Sequence, residues 1–152
     1  MTTLDTSTIE LVRTSWALVA PSQPEVASQF YRHLLRLDPS LAPMFGGDMT
    51  VQGKRLTSMI GAALTLLDQP EQLTPVLRSL GARHLGYGVQ GSHYPVVAEA
   101  LLQTLHDGLA CAFTEEVRAA WTSVYSMLAT EMMSGAAAER LRDHSRQQVE
   151  AS

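Results

Sequence analysis

His84 is the side chain of this sequence best placed to do chemistry. It closes a short apolar stripe of Leu73, Val76, Leu77 and Leu80 and stands just before Gly86, Gly88 and Gly91, which loosen the backbone. Leu80 and Leu77 lie four and seven residues earlier, so on a helix the imidazole faces the same way as they do. The residues alone leave two readings open. One is a partly buried histidine that donates to a backbone carbonyl. The other is a neutral imidazole at the edge of an apolar cleft, acting as an axial metal ligand.

Other chemistries find little support. The five histidines (His33, His84, His93, His106, His144) are scattered, and no pair has the i, i+4 spacing of a helical zinc site. His93, His106 and His144 read as solvated or locally bonded. Cys111 is the single cysteine, which excludes an intrachain disulfide and an all-cysteine metal centre. The glycines from Gly81 to Gly91 lack the Lys-Ser/Thr ending of a phosphate loop, and neither His-Glu-x-x-His nor Gly-x-Ser-x-Gly occurs. Glu115 and Glu116 read as a helix start, Glu139 as part of a solvated tail, and Met44, Met49, Met59, Met127, Met132 and Met133 as flexible core filler.

The elements that must position His84 are helices. Ile9, Val12, Trp16 and Val19 form one apolar stripe, with capping-box spacing at Ser7 and Glu10 and Pro21 as the stop. Ser22, Pro24 and Glu25 open a second helix to about Leu37. Asp38-Pro39 starts a short turn or helix ending near Phe45, and Gly46-Gly47-Asp48 breaks the chain. Leu56, Met59, Ile60, Ala63, Leu64 and Leu67 predict a helix from about Thr50 to Asp68. A shorter one reaches His84, and another runs from His93 to about Leu109. Thr114 caps a last long helix through Trp121, Tyr125 and Met132. Beyond Gly135 the polar residues predict a frayed or disordered tail. No stretch alternates with period two, so the fold class is all-α.

Length and composition set the frame. The 152 residues, 45% hydrophobic and 17% charged, suit one domain with a substantial core. The net charge of −4 argues against a nucleic-acid footprint. No apolar run approaches the roughly 18 residues a membrane span needs, and Met1 to Glu10 lacks a signal-peptide pattern. The expectation is a cytoplasmic protein with room for one site. Only Lys54 among the 11 basic residues is lysine, which reads as coding bias.

From about Thr8 to Ser134 the chain resembles the globin family. The likeness rests on motifs in order: Trp16, Phe30-Tyr31, Asp38-Pro39 with Met44-Phe45, and Gln52-Gly53-Lys54-Arg55-Leu56. Leu80-Gly81-Ala82-Arg83-His84, Gly88-Val89, His93-Tyr94-Pro95, Phe113-Thr114-Glu115-Glu116 and Ala119 to Tyr125 follow. It is similar to bacterial single-domain globins related to flavohaemoglobin haem domains, and to neuroglobin. The resemblance implies a three-on-three helical sandwich around haem b, iron protoporphyrin IX. It implies a globin domain over residues 1–135 and a polar tail over 136–152.

The same resemblance assigns residues. His84 matches the proximal iron ligand and Phe45 the ring stacked on the porphyrin. Tyr31 and Gln52 match the distal polar positions, and Leu56 the apolar one a turn later. Arg55 and Arg83 match cations at the haem edge, partners for propionates. Leu80, Val89 and Tyr94 match packing positions beside the proximal ligand. No histidine stands between His33 and His84, so the distal helix offers no second imidazole, although Tyr31 or Lys54 could meet ferric iron. Flavohaemoglobins carry a glutamate in the last helix that joins the proximal histidine and a tyrosine; the matching position here falls near Ala136, with Glu131 and Glu139 displaced from it. Without that carboxylate the histidine donates less electron density.

The function implied is reversible dioxygen binding at a pentacoordinate haem, for storage, delivery or buffering. Tyr31 and Gln52 would hold a ligand that takes on negative charge, which predicts slow release. Nitric oxide and carbon monoxide are further expected ligands. The alternative is an enzyme, a nitric oxide dioxygenase, nitrite reductase or peroxidase-like protein served by a separate reductase, because the chain ends before a flavin domain would begin. A third reading is a gas sensor or interaction module whose tail contacts a partner. Monomer and homodimer both remain open.

Overall fold

The computed structural model describes residues 4–45, 47–86 and 88–151. Six helices carry the fold: α1 (Thr6–Val19), α2 (Gln23–Leu37), α3 (Met49–Thr65), α4 (Pro70–Gly86), α5 (His93–Leu109) and α6 (Glu115–Ala151). Tight 3-10 turns fill Ala20–Ser22, Pro39–Phe45 and Ala110–Ala112, and no strand occurs among the described residues. The chain is all-α, as its periodicity predicts. The main packing pairs are α4 on α6, α2 on α5, α1 on α6 and α2 on α3.

Local chemistry moves several helix ends from where pattern puts them. α1 begins at Thr6 because Asp5, not Ser7, is its cap, accepting the Thr8 N–H at 2.7 Å. Ser22 is the N-cap of α2 but makes no side-chain cap bond. Asp48 caps α3, accepting the Thr50 N–H at 2.9 Å. α3 ends at Thr65 rather than Asp68, and Arg13 of α1 closes that end. Its guanidinium donates to the carbonyls of Leu64 at 2.8 Å and Thr65 at 3.0 Å and pairs with Asp68 at 3.0 Å. A cation on the last carbonyls of a helix satisfies groups that have no partner within it. Thr114 caps α6 as expected, accepting the Val117 N–H at 3.2 Å.

The largest departure is at the C-terminus. α6 runs unbroken through Gly135 for 37 residues. The residues after Gly135 are mostly strong helix formers, alanine, arginine, glutamate and glutamine. Glu139 ties Arg142 at 2.9 Å and Arg146 at 3.4 Å along one face.

Val12, Leu34, Leu73, Ala100, Leu105, Trp121 and Val124 are buried at the centre of one core. Trp16 and Trp121 meet at 6.1 Å between ring centroids, tilted by 59°, joining α1 to α6. The Trp121 Nε1–H donates to the Ser15 hydroxyl at 2.8 Å, so the buried indole has its polar partner. Between α2 and α5, His33 Nε2 meets Asp107 Oδ2 at 2.6 Å.

Candidate functional site

The core is not filled. A cavity of about 350 Å3 opens among α2, the Pro39–Phe45 turn, α3, α4, α5 and α6. Its walls are almost wholly apolar, with Phe30, Leu34, Ile60, Leu77, Val97 and Leu128 typical of them. Such a volume is in the range of small-molecule and cofactor sites. Among the described residues no group of three or more His, Cys, Asp or Glu side chains could cage a metal ion. A metal in this cavity would therefore have at most two such side chains as ligands and would bring most of its coordination with it.

His84 has the chemistry for such a ligand. It lines the cavity from the last turn of α4, where the Nδ1–H donates to the Leu80 carbonyl at 2.8 Å. The first reading left open by the residues, a partly buried histidine that donates to a backbone carbonyl, is what the structure shows. The bond to Leu80 fixes the tautomer and leaves the Nε2 lone pair available, as in most metal-binding histidines. Burial pushes the imidazole below its ordinary pKa; the Leu80 bond opposes this, and the Arg83 charge adds to it. The ring is therefore neutral at neutral pH, the form a metal needs.

His93 also lines the cavity, with the opposite polarity. Its Nδ1 accepts the Gln90 N–H at 3.0 Å, so in the neutral ring Nε2 carries the proton. It is locally bonded, as its position at a helix start suggests, and it offers a donor where His84 offers an acceptor. Sequence pattern gave it no part in the site, since a histidine at a helix start has many uses.

Tyr31, Phe45, Leu56, Leu80, Val89 and Tyr94 join His84 around the same cavity. Phe45 lies 5.2 Å from Tyr31 between ring centroids, a tilted contact that holds the Pro39–Phe45 turn against α2. The Tyr31 hydroxyl makes no hydrogen bond among the described residues, and burial raises its pKa, so it stays a neutral donor. Gln52, Arg55 and Arg83 are not among the lining residues. Arg55 is exposed on α3, and the Gln52 amide nitrogen sits at the Gly47 turn, 3.8 Å from where a Cβ on that glycine would be. Arg83 is exposed and opens onto a groove between α4 and α6. Lys54 is exposed as well.

Further lining residues come from α6 and from the rim. Tyr125 donates to the Tyr94 carbonyl at 2.7 Å and joins α6 to the start of α5. Burial pushes its pKa far up, so this phenol stays protonated. Its place four residues after Trp121 on the apolar stripe is the signal that marks it. Met44 and Met59 line the cavity yet are 37% and 41% exposed, so they form its rim and do not fill the core.

A family model described as Globin matches residues 28–132. A flavohemoprotein of Bacillus cereus is 28% identical over 134 residues, 86% of this chain and 33% of its own length. The chain thus spans about a third of the curated flavohemoproteins it matches. A globin-like protein of Aquifex aeolicus, uncharacterized, is 29% identical over 130 residues, 86% of this chain and 92% of its own. Among solved structures, one from Rhodothermus marinus described as a proposed nitric oxide dioxygenase engineered into a carbene transferase superposes with a TM-score of 0.78. It is 28% identical, covering 89% of this chain and 94% of its own. A flavohemoglobin from Malassezia yamatoensis, 23% identical with a TM-score of 0.71, shares the fold over 88% of this chain and 36% of its own.

Proposed function

The chain belongs to the globin family, and from that premise we propose that it holds haem b in the cavity and reversibly binds dioxygen. One observation carries this reading. His84 lines an apolar cavity as a neutral ring with Nδ1 tied to Leu80 and Nε2 left to bind iron. The donor set fits the group: one imidazole acceptor, apolar walls for a flat macrocycle, and Phe45 to stack on it.

Haem supplies the iron at which a diatomic ligand binds. The protein supplies the rest. Leu80 orients His84, and Phe45, Leu56 and Val89 would keep water from the macrocycle. Tyr31 would donate a hydrogen bond to a bound ligand that carries partial negative charge. The His93 Nε2–H would be a donor for a carboxylate at the edge of the group, in addition to the exposed Arg55 and Arg83. The α6 face that includes Ala136 carries no carboxylate at that position. Glu131 pairs with Arg78 at 3.1 Å instead, so His84 draws no electron density from it.

Nitric oxide dioxygenation with a separate reductase is the second reading, favoured by the likeness to flavohemoproteins and to the Rhodothermus marinus protein. Absorption spectra of the ferric, ferrous and carbon monoxide forms test the first. A Soret band that shifts with each state is expected, and no such band after reconstitution would overturn it. His84→Gly should lose haem retention and regain it with imidazole in the buffer. Sustained nitric oxide consumption under a cellular reductant, well above that of free haem, would move the assignment to the enzyme.

A further inference from the structure

Opposite in character to the cavity is an open groove on the outer side of the α4–α6 crossing. Arg78, Arg83 and Arg142 line it, with Ser79 and the small residues Ala82, Gly135 and Ala138 between them. Glu139 is the carboxylate in its lining. Arg78 pairs with Glu131 at 3.1 Å and Arg142 with Glu139 at 2.9 Å, while Arg146 reaches Glu139 at 3.4 Å and Asp143 at 3.3 Å. Arg83 makes no ion pair or hydrogen bond among the described residues.

These guanidiniums gather in a chain whose net charge is −4. The side chains of Arg78 and Arg142 are 58% and 62% exposed, so their pairs are screened by water and add little to stability. Each fork has donors to spare for a second carboxylate. The groove is too open, and its cations too spread over two helices, to enclose a small anion. It suits a surface with several carboxylates. Its place matters too, because Arg83 directly precedes His84 on α4.

We propose that the groove formed by Arg78, Arg83 and Arg142 docks the acidic face of a one-electron carrier protein, an inference that rests on His84 holding haem in the neighbouring cavity. Such a carrier would give up one electron, and a ferric haem held by His84 would take it, with no group transferred. Complementary charge steers the encounter and makes it sensitive to salt.

The test uses the haem-reconstituted protein and an acidic two-iron ferredoxin, reduced beforehand, as probe. Reduction followed in the Soret region should slow about tenfold between roughly 20 and 300 mM salt. It should slow by about the same factor in the double variant Arg78→Glu, Arg142→Glu at low salt, while reduction by dithionite stays unchanged. Equal ferredoxin rates in variant and parent would overturn the proposal. Independently of iron, ferredoxin added to the nitrogen-15-labelled chain should shift the Nε–Hε signals of Arg78, Arg83 and Arg142. Unshifted signals would overturn the docking surface. Shifted signals in a chain that takes up no haem would support the acidic surface and sink the haem reading alone.

Discussion

Gly81 of α4 lies so close to Met132 of α6 that a Cβ on it would stand 1.8 Å from the Met132 carbonyl oxygen. The contact is reciprocated, because a Cβ on Gly135 would stand 1.9 Å from the carbonyl oxygen of Arg78. Both obstacles are backbone, which cannot rotate aside as a side chain can. The crossing therefore requires glycine at both positions, and it places the helix turn that ends in His84. Gly81→Ala or Gly135→Ala should cost about 1–3 kcal/mol or more, read from denaturant midpoints. Both should also loosen haem, because His84 follows Gly81 by less than a turn.

The Ser15 hydroxyl accepts the Trp121 Nε1–H at 2.8 Å and donates to the Leu11 carbonyl at 2.7 Å. Trp121 is 2% exposed, so no water can replace that acceptor. Ser15→Ala should cost about 1–3 kcal/mol in urea unfolding, the penalty for a buried donor left unpaired. A cost indistinguishable from zero would mean that the indole finds another acceptor.

Asp5 shows its cap in its acidity. The Thr8 N–H holds its carboxyl below the ordinary 3.8, so the cap is worth most when the carboxylate is charged. A lowered folded pKa gives stability that is present above 3.8 and lost as pH falls through the folded value. Asp5→Ala should therefore lower the melting temperature at pH 7, and the gap should close in strong acid. Asp5→Asn, which caps without charge, should lack that pH dependence. A gap between the parent protein and the Asp5→Ala variant that stays constant at every pH would count against the cap.

Much of this is legible in the sequence itself. The stripe from Leu73 to Leu80 put His84 on an apolar face, and motif order added Tyr31, Phe45, Leu56, Val89 and Tyr94, which the fold gathers around one cavity. What pattern missed depends on contacts between distant segments. Gly135 looks like a stop because glycine weakens helices, yet here the helix continues and the missing Cβ makes room for Arg78. Arg83, which the resemblance matches to a cation at the haem edge, is exposed and lines the outer groove, since neighbours on a helix point about 100° apart. His93 offers no distinguishing spacing, since its tautomer is set by the Gln90 N–H across a turn.

That difference between adjacency and orientation separates the two distal candidates. Motif order treats Tyr31 and Gln52 alike as donors to the ligand. Tyr31 lines the cavity with its hydroxyl uncommitted among the described residues, whereas Gln52 lies outside the lining, its amide nitrogen at the Gly47 turn. A hydrogen bond to a charged group is worth about 1.5–3 kcal/mol, which corresponds to roughly tenfold to 150-fold in rate. Tyr31→Phe should accelerate oxygen dissociation by a factor in that range, measured by rapid mixing of the oxygenated protein with excess carbon monoxide. Gln52→Ala should change it far less. Equal acceleration in the two variants would show that Gln52 swings inward when ligand binds; an unchanged rate in Tyr31→Phe would remove Tyr31 from the site's chemistry.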